Sequence, residues 1–338
     1  MKVSLKDIAN DLLLSKTTVS WVLSGKGDEK CISLATQEKV LAYAKKMNYQ
    51  PNLLARSLNT GLTKTIGLLL PDISDTFYSE IAREVEKEVE KYNYSLMIAS
   101  SGSEKEREER MIQVFRSRQV SGIIIAPTKR SQKEILQMMD DDYPFVLIDR
   151  YFPELKANYV IIDNEESSYC LVKHLIEKGY RKIALITTNS YLTTMSLRAD
   201  GYKRALVDSG VDIKQNLCCE VDFINYKNNI IPALDNLFHN EPDVDAFFFT
   251  THILAIEAFN YFHAHNIQID SKIGLACIHD ISSFRVLAPH INTARMPVEN
   301  IGKESVSVLI NTIEKNHNKK GNLEIRTLTL PCTLNYRD

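Results

Sequence analysis

The chain has 338 residues, 44% of them apolar and 25% charged, with a net charge of −2, ordinary values for a globular protein with room for two or three domains. No apolar run approaches the ~20 residues of a membrane span and no signal peptide opens the sequence, so a cytoplasmic protein without a membrane partner is expected. Six scattered cysteines lack paired or His-flanked spacing, which argues against a disulfide framework or a zinc site; no metal and no other cofactor is expected.

The small net charge hides an asymmetry. Residues 1–60 carry nine Lys/Arg against five Asp/Glu, a net +4, which leaves −6 for the remainder. A basic head on an acidic body points to a polyanionic partner for the head alone.

Ser4 suits the cap of a helix beginning at Leu5, and Asp7 in its first turn is favoured by the helix dipole. Leu5, Ile8, Ala9 and Leu12 follow at helical spacing. Ser15 caps a second helix, with Leu14 before it placed to pack on Val19. Val19, Val22 and Leu23 form the inner face of that helix and Lys16, Thr17, Ser20 and Trp21 the outer one. A third helix after Ser33 is expected to carry Val40, Leu41, Ala44 and Met47 inward. The arrangement reads as a helix-turn-helix whose second helix would enter a major groove, Lys16 and Thr17 reaching base edges. Lys2, Lys6, Lys16, Lys26 and Lys30 are available for phosphates, which predicts a steep salt dependence of binding.

Pro51 fits a first helical turn, Leu53, Leu54, Ala55, Arg56 and Leu58 are good helix formers, and Asn59 with Gly61 supplies a stop. Two turns fall short of the ~12 residues at which an isolated helix becomes viable. This stretch should be helical only when held from outside, which makes it a candidate switch between head and body.

From Thr65 onward short apolar strands alternate with amphipathic helices. The strands are expected at 66–70, 95–99, 122–126, 145–148 and 160–162, then at 182–186, 217–221, 246–249 and 273–277. Such alternation predicts parallel sheets covered on both faces, in two lobes that divide near Asp163. Ligands in sheets of this kind sit beyond the carboxyl ends of the strands, so a pocket is expected between the lobes. Phe77, Tyr78 and Phe223 fall at strand ends where they could stack on a ring, and Asp149, Arg150, Asp163 and Arg198 could hold hydroxyls.

Several segments carry a family resemblance. Ser4-Leu5-Lys6-Asp7-Ile8-Ala9, Ser15-Lys16-Thr17-Thr18-Val19-Ser20, Tyr49-Gln50-Pro51-Asn52 and Ala55-Arg56-Ser57-Leu58 resemble the DNA-binding head and hinge of the lactose-repressor (LacI/GalR) family. In the body, Pro71 to Tyr78 (PDISDTFY), Val120 to Ile125, Ile162-Asp163-Asn164, Leu175 to Tyr180, Arg198 to Tyr202, Ile278 to Ile281 and Arg295 to Glu299 resemble its effector-binding core. The resemblance implies an α/β fold: a two-lobed, doubly wound, periplasmic-binding-protein-like core of parallel sheets with an all-α helix-turn-helix head. It implies a head at 1–48, a hinge at 49–62, a first lobe of 63–163 plus about 293–322, and a second lobe of 164–292 plus about 323–338. The chain would cross between lobes three times, the last strand returning near Leu328. Helices around 77–91 and 298–314 would flank the interface of a homodimer.

The implied function is transcription regulation, with repression of carbohydrate genes the expected outcome. Two heads would read a pseudo-palindromic operator, with paired hinge helices in the minor groove and Leu58 wedged into the central step. The implied DNA-contacting residues are Ser4, Lys6, Ser15, Lys16, Thr17, Thr18, Ser20, Trp21, Asn52, Ala55, Arg56 and Leu58. The implied effector contacts are Asp75, Phe77, Tyr78, Asp149, Arg150, Asp163, Arg198, Phe223, Thr251, His252 and His279, for a sugar-like ligand. Three departures stand out in the head. Leu13 occupies a tight turn that usually holds Gly, Trp21 replaces the usual Arg, His or Tyr, and the connection 25–33 is about three residues longer than usual. In the pocket, Thr251-His252 and His279-Asp280 replace pairs richer in carboxylate, which suggests an anionic sugar derivative.

Two other readings are weaker. No phosphate-binding, nucleophile-elbow or zinc-protease motif is present, so an enzyme is not expected. A solute-binding protein would share the core fold, but the basic head and hinge argue against it.

Overall fold

A computed structural model describes residues 3–49, 63–128, 132–188, 193–223, 225–269, 272–318 and 324–337. The chain forms two compact units that divide between Thr63 and Lys64.

The smaller unit contains three helices among its described residues: α1 (Leu5–Asp11), α2 (Lys16–Leu23) and α3 (Leu34–Lys46). Each starts on a serine. Ser4 and Asp7 form a reciprocal capping box on α1, and Ser15 and Ser33 accept from the third backbone N–H of α2 and α3. Ile8, Ala9, Leu12, Val19, Val22, Val40 and Ala44 make the core. Leu41 and Met47, expected to point inward, are instead 51% and 37% exposed. A three-helix core this small takes only one narrow stripe from α3, and Val40 with Ala44 fills it.

Between α1 and α2 the chain turns through Leu13, whose φ is +57°. The Leu14 N–H donates to the Ala9 carbonyl and the Leu13 N–H to that of Asn10, the paired bonds of a Schellman stop that ordinarily places Gly at the left-handed residue. Leu13 accepts that strained conformation while its side chain is 92% exposed and gains no burial.

The larger unit holds two six-stranded sheets. The first comprises β1 (Thr65–Leu70), β2 (Ser95–Ser100), β3 (Gly122–Ile125), β4 (Phe145–Ile148), β5 (Tyr159–Ile162) and β11 (Thr327–Leu330), in the order β11-β5-β4-β3-β1-β2. The second comprises β6 (Ile183–Thr188), β7 (Cys218–Val221), β8 (Ala246–Phe249), β9 (Gly274–Ile278), β10 (Asn292–Arg295) and β12 (Thr333–Asn335), in the order β12-β10-β9-β8-β6-β7. Among the described residues only the β10–β12 pairing is antiparallel. The central strands are buried along their whole length, as parallel strands covered on both faces must be.

The helices of this unit are α4 (Thr76–Lys91), α5 (Lys105–Ser117), α6 (Gln132–Asp140), α7 (Asn164–Glu177), α8 (Thr193–Asp208), α9 (Tyr226–Asn240), α10 (His252–Ala264), the short α11 (Phe284–Leu287) and α12 (Val298–Asn318). The chain passes between lobes three times among the described residues: from β5 to α7, from β10 to α12, which packs on α4 and the first sheet, and from β11 to β12.

The expected lobe boundaries shift at two places. Residues 292–294 pair with β9 and Arg295 with β12, so 292–295 belong to the second sheet, whereas 327–330 pair with β5 and belong to the first. Asp163, expected in the pocket, is instead a tie between crossings. Its Oδ1 accepts from the Ser167 hydroxyl at 2.7 Å and from the Cys332 N–H at 3.0 Å, and its own N–H donates to the Leu330 carbonyl.

Leu13→Gly should stabilise the head by ~1 kcal/mol, the relieved strain exceeding the added chain entropy. Urea unfolding followed by the fluorescence of Trp21, the sole tryptophan, reads this unit directly. A loss of stability would show that Leu13 makes a compensating contact.

Candidate functional site

The cleft lies at the carboxyl ends of both sheets, where open α/β folds leave a crevice. About 490 Å3 of atom-free space, part of it open to solvent, is lined by Asp75, Phe77, Tyr78, Asp149, Arg150, Met195, Arg198, Phe223, Thr251, His252, Ile253, Ile278, His279 and Met296. Ten of the eleven residues expected to contact an effector are therefore brought together, Asp163 being the exception. The expectation missed Met195, Ile253, Ile278 and Met296. Met195 and Ile253 lie in first helical turns, Ile278 ends β9 and Met296 follows β10, but an apolar side chain there reads the same as core; adjacency to the polar candidates was the available signal.

The two lobes present their side chains in the same way. Asp149 follows β4 and His279 follows β9, and both have left-handed backbones, with φ of +60° and +87°. Such a conformation costs of order 1–3 kcal/mol for a residue other than glycine and marks a position where the side chain must be aimed. Asp149 accepts from the Tyr78 hydroxyl at 2.7 Å and lies 3.5 Å from Arg150 Nε. The Arg150 guanidinium sits 5.8 Å from the centre of the Phe223 ring.

Arg198 is 2% exposed and bound inside its own lobe: Nε donates to Asn164 Oδ1 at 2.8 Å and Nη1 to the Thr250 carbonyl at 2.6 Å. Asn164 and Thr250 thus position the cation without lining the cleft, a role the sequence alone did not assign to either.

Three groups form a chain across the lobes. Asp75 Oδ1 of the first lobe is 3.5 Å from His252 Nε2 of the second, and the two Nδ1 atoms of His252 and His279 are 3.0 Å apart. Phe77 meets the His279 ring edge-on at 5.4 Å. Burial pulls His252 down to about 4, with Arg198 adding to the effect, and pulls His279 down to about 3, with His252 and Arg198 adding. Burial also raises Asp75 to about 6. At neutral pH both imidazoles are neutral and Asp75 is ionised. The protonation that satisfies all three puts hydrogen on His252 Nε2 and on His279 Nδ1, leaving His279 Nε2 as an acceptor.

In the head, Lys16, Thr17, Ser20 and Trp21 lie on the exposed side of α2, as expected. Ser4 and Ser15 are occupied as caps, and the Ser15 hydroxyl also bonds that of Thr18 at 2.8 Å. Lys6 is exposed on α1. Asn52, Ala55, Arg56 and Leu58 lie outside the described residues. Among the described residues no group of three or more His, Cys, Asp or Glu side chains could hold a metal ion, and no helix is long and apolar enough to cross a membrane.

The imidazoles set a pH dependence. Both have folded-state values below the ordinary 6.5, so the unfolded chain takes up protons that the folded one refuses, and stability falls as pH drops from about 6.5 toward 4. Asp75, raised above its ordinary 3.8, acts in the opposite direction between about 6 and 4, but one carboxyl opposes two rings. Urea titrations of the core between pH 7 and pH 4 should show a net loss in acid that flattens in the His252→Gln, His279→Asn double variant. An unchanged slope in that variant would contradict the assignment.

Comparison with known proteins agrees with this geometry. Residues 63–335 match the profile described as periplasmic binding proteins and sugar binding domain of LacI family, and residues 4–52 match that of bacterial regulatory proteins, lacI family. The chain is 29% identical over 336 residues to a ribose operon repressor of Haemophilus influenzae, covering 99% of this chain and 98% of that one. It is 30% identical to a ribose operon repressor of Halalkalibacterium halodurans, covering 92% and 91%. Among solved structures, a Lac repressor dimer bound to operator and the anti-inducer ONPF superposes with a TM-score of 0.83 at 21% identity, over 100% of this chain and 98% of that one. A complex of the transcriptional regulator CelR with cellobiose gives 0.72 at 23% identity, over 99% of each chain. With its helix-turn-helix head and its two-lobed core both matched, the chain belongs to the LacI family of bacterial transcription regulators.

Proposed function

We propose that this regulator binds operator DNA as a homodimer through the outer face of α2 and that a small neutral sugar in the cleft sets its operator affinity. The observation that carries the ligand assignment is the convergence of ring faces with balanced charge. Phe77 and Phe223 offer apolar surfaces, Asp75 and Asp149 accept, Arg150 and Arg198 donate, and the two neutral imidazoles complete a set that suits hydroxyls of fixed direction. The anionic ligand suggested by the loss of carboxylates finds less support in this geometry. Asp75 and Asp149 already offset the charges of Arg150 and Arg198 within the cleft, and burial keeps both imidazoles uncharged, so no net positive charge is left for an anion.

The ribose operon repressors and the cellobiose complex among the similar proteins support a carbohydrate, and the operator-bound Lac repressor dimer supports a dimer on DNA. Coupling follows from where the contacts lie. Asp75 with His252, Phe77 with His279 and Arg150 with Phe223 all span the two lobes, so a ligand that prefers one lobe arrangement shifts the equilibrium by its differential affinity. In the hinge we propose Asn52, Ala55 and Arg56 as backbone and groove contacts and Leu58 as the wedge between base pairs.

Two experiments test the reading. Selection of bound duplexes from a random pool should return a pseudo-palindrome, which Leu58→Ala binds at least tenfold more weakly. Calorimetry with neutral monosaccharides, sugar acids and sugar phosphates should find the tightest binding among the neutral ones, with Phe223→Ala about tenfold or more weaker and ligand-free operator affinity unchanged. Tight binding confined to the acids or phosphates would overturn the assignment.

A further inference from the structure

The long connection between α2 and α3 is a built structure rather than slack. Gly25, at a φ of +74°, closes α2, and the Lys26 N–H donates to the Trp21 carbonyl at 2.9 Å. Gly27 is buried against Gln37, whose Oε1 would lie 2.2 Å from any added Cβ. The Gln37 amide nitrogen in turn donates to Asp28 Oδ1 at 2.9 Å and to the Ile32 carbonyl at 2.8 Å. The Lys30 N–H donates to the Lys26 carbonyl and that of Ile32 to the Gly27 carbonyl, with Cys31 at a φ of +53°. The loop so pinned doubles back onto α2 and brings Lys30 Nζ to 5.8 Å from the centre of the Trp21 ring.

We propose that Trp21 and Lys30 act as one composite reader of duplex DNA, the indole packing on a thymine methyl and the ammonium donating to the O6 and N7 acceptors of a neighbouring guanine. The inference rests on α2 being the base-reading helix. Trp21 is 37% exposed beside Lys16, Thr17 and Ser20. An indole has a single N–H and cannot supply the two donors that a guanine edge accepts, whereas a lysine ammonium can. The pinned path of the loop is what delivers that ammonium to the side of α2, next to the indole. Lys30 also pairs with Glu29 at 2.9 Å. That contact is between exposed side chains in water and is readily exchanged for a base edge.

The test uses the full-length protein and a random duplex pool, with wild type, Lys30→Ala, Lys30→Arg and Trp21→Ala compared. Wild type should select a guanine next to a thymine in each half-site. Lys30→Ala should lose about tenfold of its preference for that guanine while the other positions keep theirs, Lys30→Arg should retain it, and Trp21→Ala should lose the thymine. Acrylamide quenching of the sole tryptophan should rise in Lys30→Ala, because the covering stem is gone. A Lys30→Ala pool identical to wild type, a loss of affinity uniform across all sequences, or unchanged quenching would each overturn the composite reader. Failure of wild type to enrich any sequence would instead overturn the base-reading role of α2, and the inference with it.

Discussion

The most deeply buried cation of the cleft, Arg198, organises it. Arg198 is removed from water and held in place by the Asn164 amide and the Thr250 carbonyl, so its charge is fixed in space before any ligand arrives. A buried charge acts on its neighbours far more strongly than one in solvent. Burial keeps His252 and His279 uncharged and the Arg198 charge adds to the effect, and uncharged rings can stand 3.0 Å apart sharing one proton between their facing nitrogens. Without that arrangement the two imidazoles would be a repelling pair at mildly acid pH. With it they become oriented hydrogen-bonding groups in positions where carboxylates would have made the pocket strongly acidic.

The lobes meet through contacts that depend on their relative placement, while the strands that set this placement are tied elsewhere. Asp163 links the first crossing to the third through Ser167 and Cys332, away from the pocket. The cleft contacts, by contrast, are single pairs: a carboxylate 3.5 Å from an imidazole, a ring against a ring edge, a guanidinium over a phenyl face. A stiff tie at the crossings and individually weak contacts at the mouth let a ligand of modest size shift the balance between lobe arrangements.

Much of this was legible in the sequence, and the omissions have physical causes. All nine strands expected from apolar runs are present; the central ones are apolar throughout because both their faces are buried, while the outer β2 and β7 are partly exposed. β10 was not recognised, since Asn292 and Thr293 look like surface residues. In the fold they are 5% and 0% exposed, and Asn292 is satisfied by donating to the Leu275 carbonyl and accepting from the Arg337 N–H. β12 has only three residues and pairs antiparallel, so no alternation rule could find it. Of the ten pocket residues, some, such as Asp149 and Phe223, combine chemistry with a strand-end position, whereas Arg198 inside α8 and Thr251, His252 and His279 were legible only through the family resemblance. Asp163 shares both traits, and its backbone partners at the third crossing are over 160 residues away in the sequence. In the head, the serine caps followed from local rules and the strained turn at Leu13 from the family resemblance, whereas the contact between Lys30 and Trp21 needed the loop's three-dimensional path.

If cleft and head are coupled as described, linkage makes the coupling reciprocal: the factor by which a ligand changes operator affinity equals the factor by which operator changes ligand affinity. The direct measurement is a pair of titrations on the full-length protein at one salt concentration. One reads operator binding with and without saturating sugar, and the other reads sugar binding with and without saturating operator. The account predicts two equal ratios different from one. Identical sugar affinity for free and operator-bound protein would contradict it.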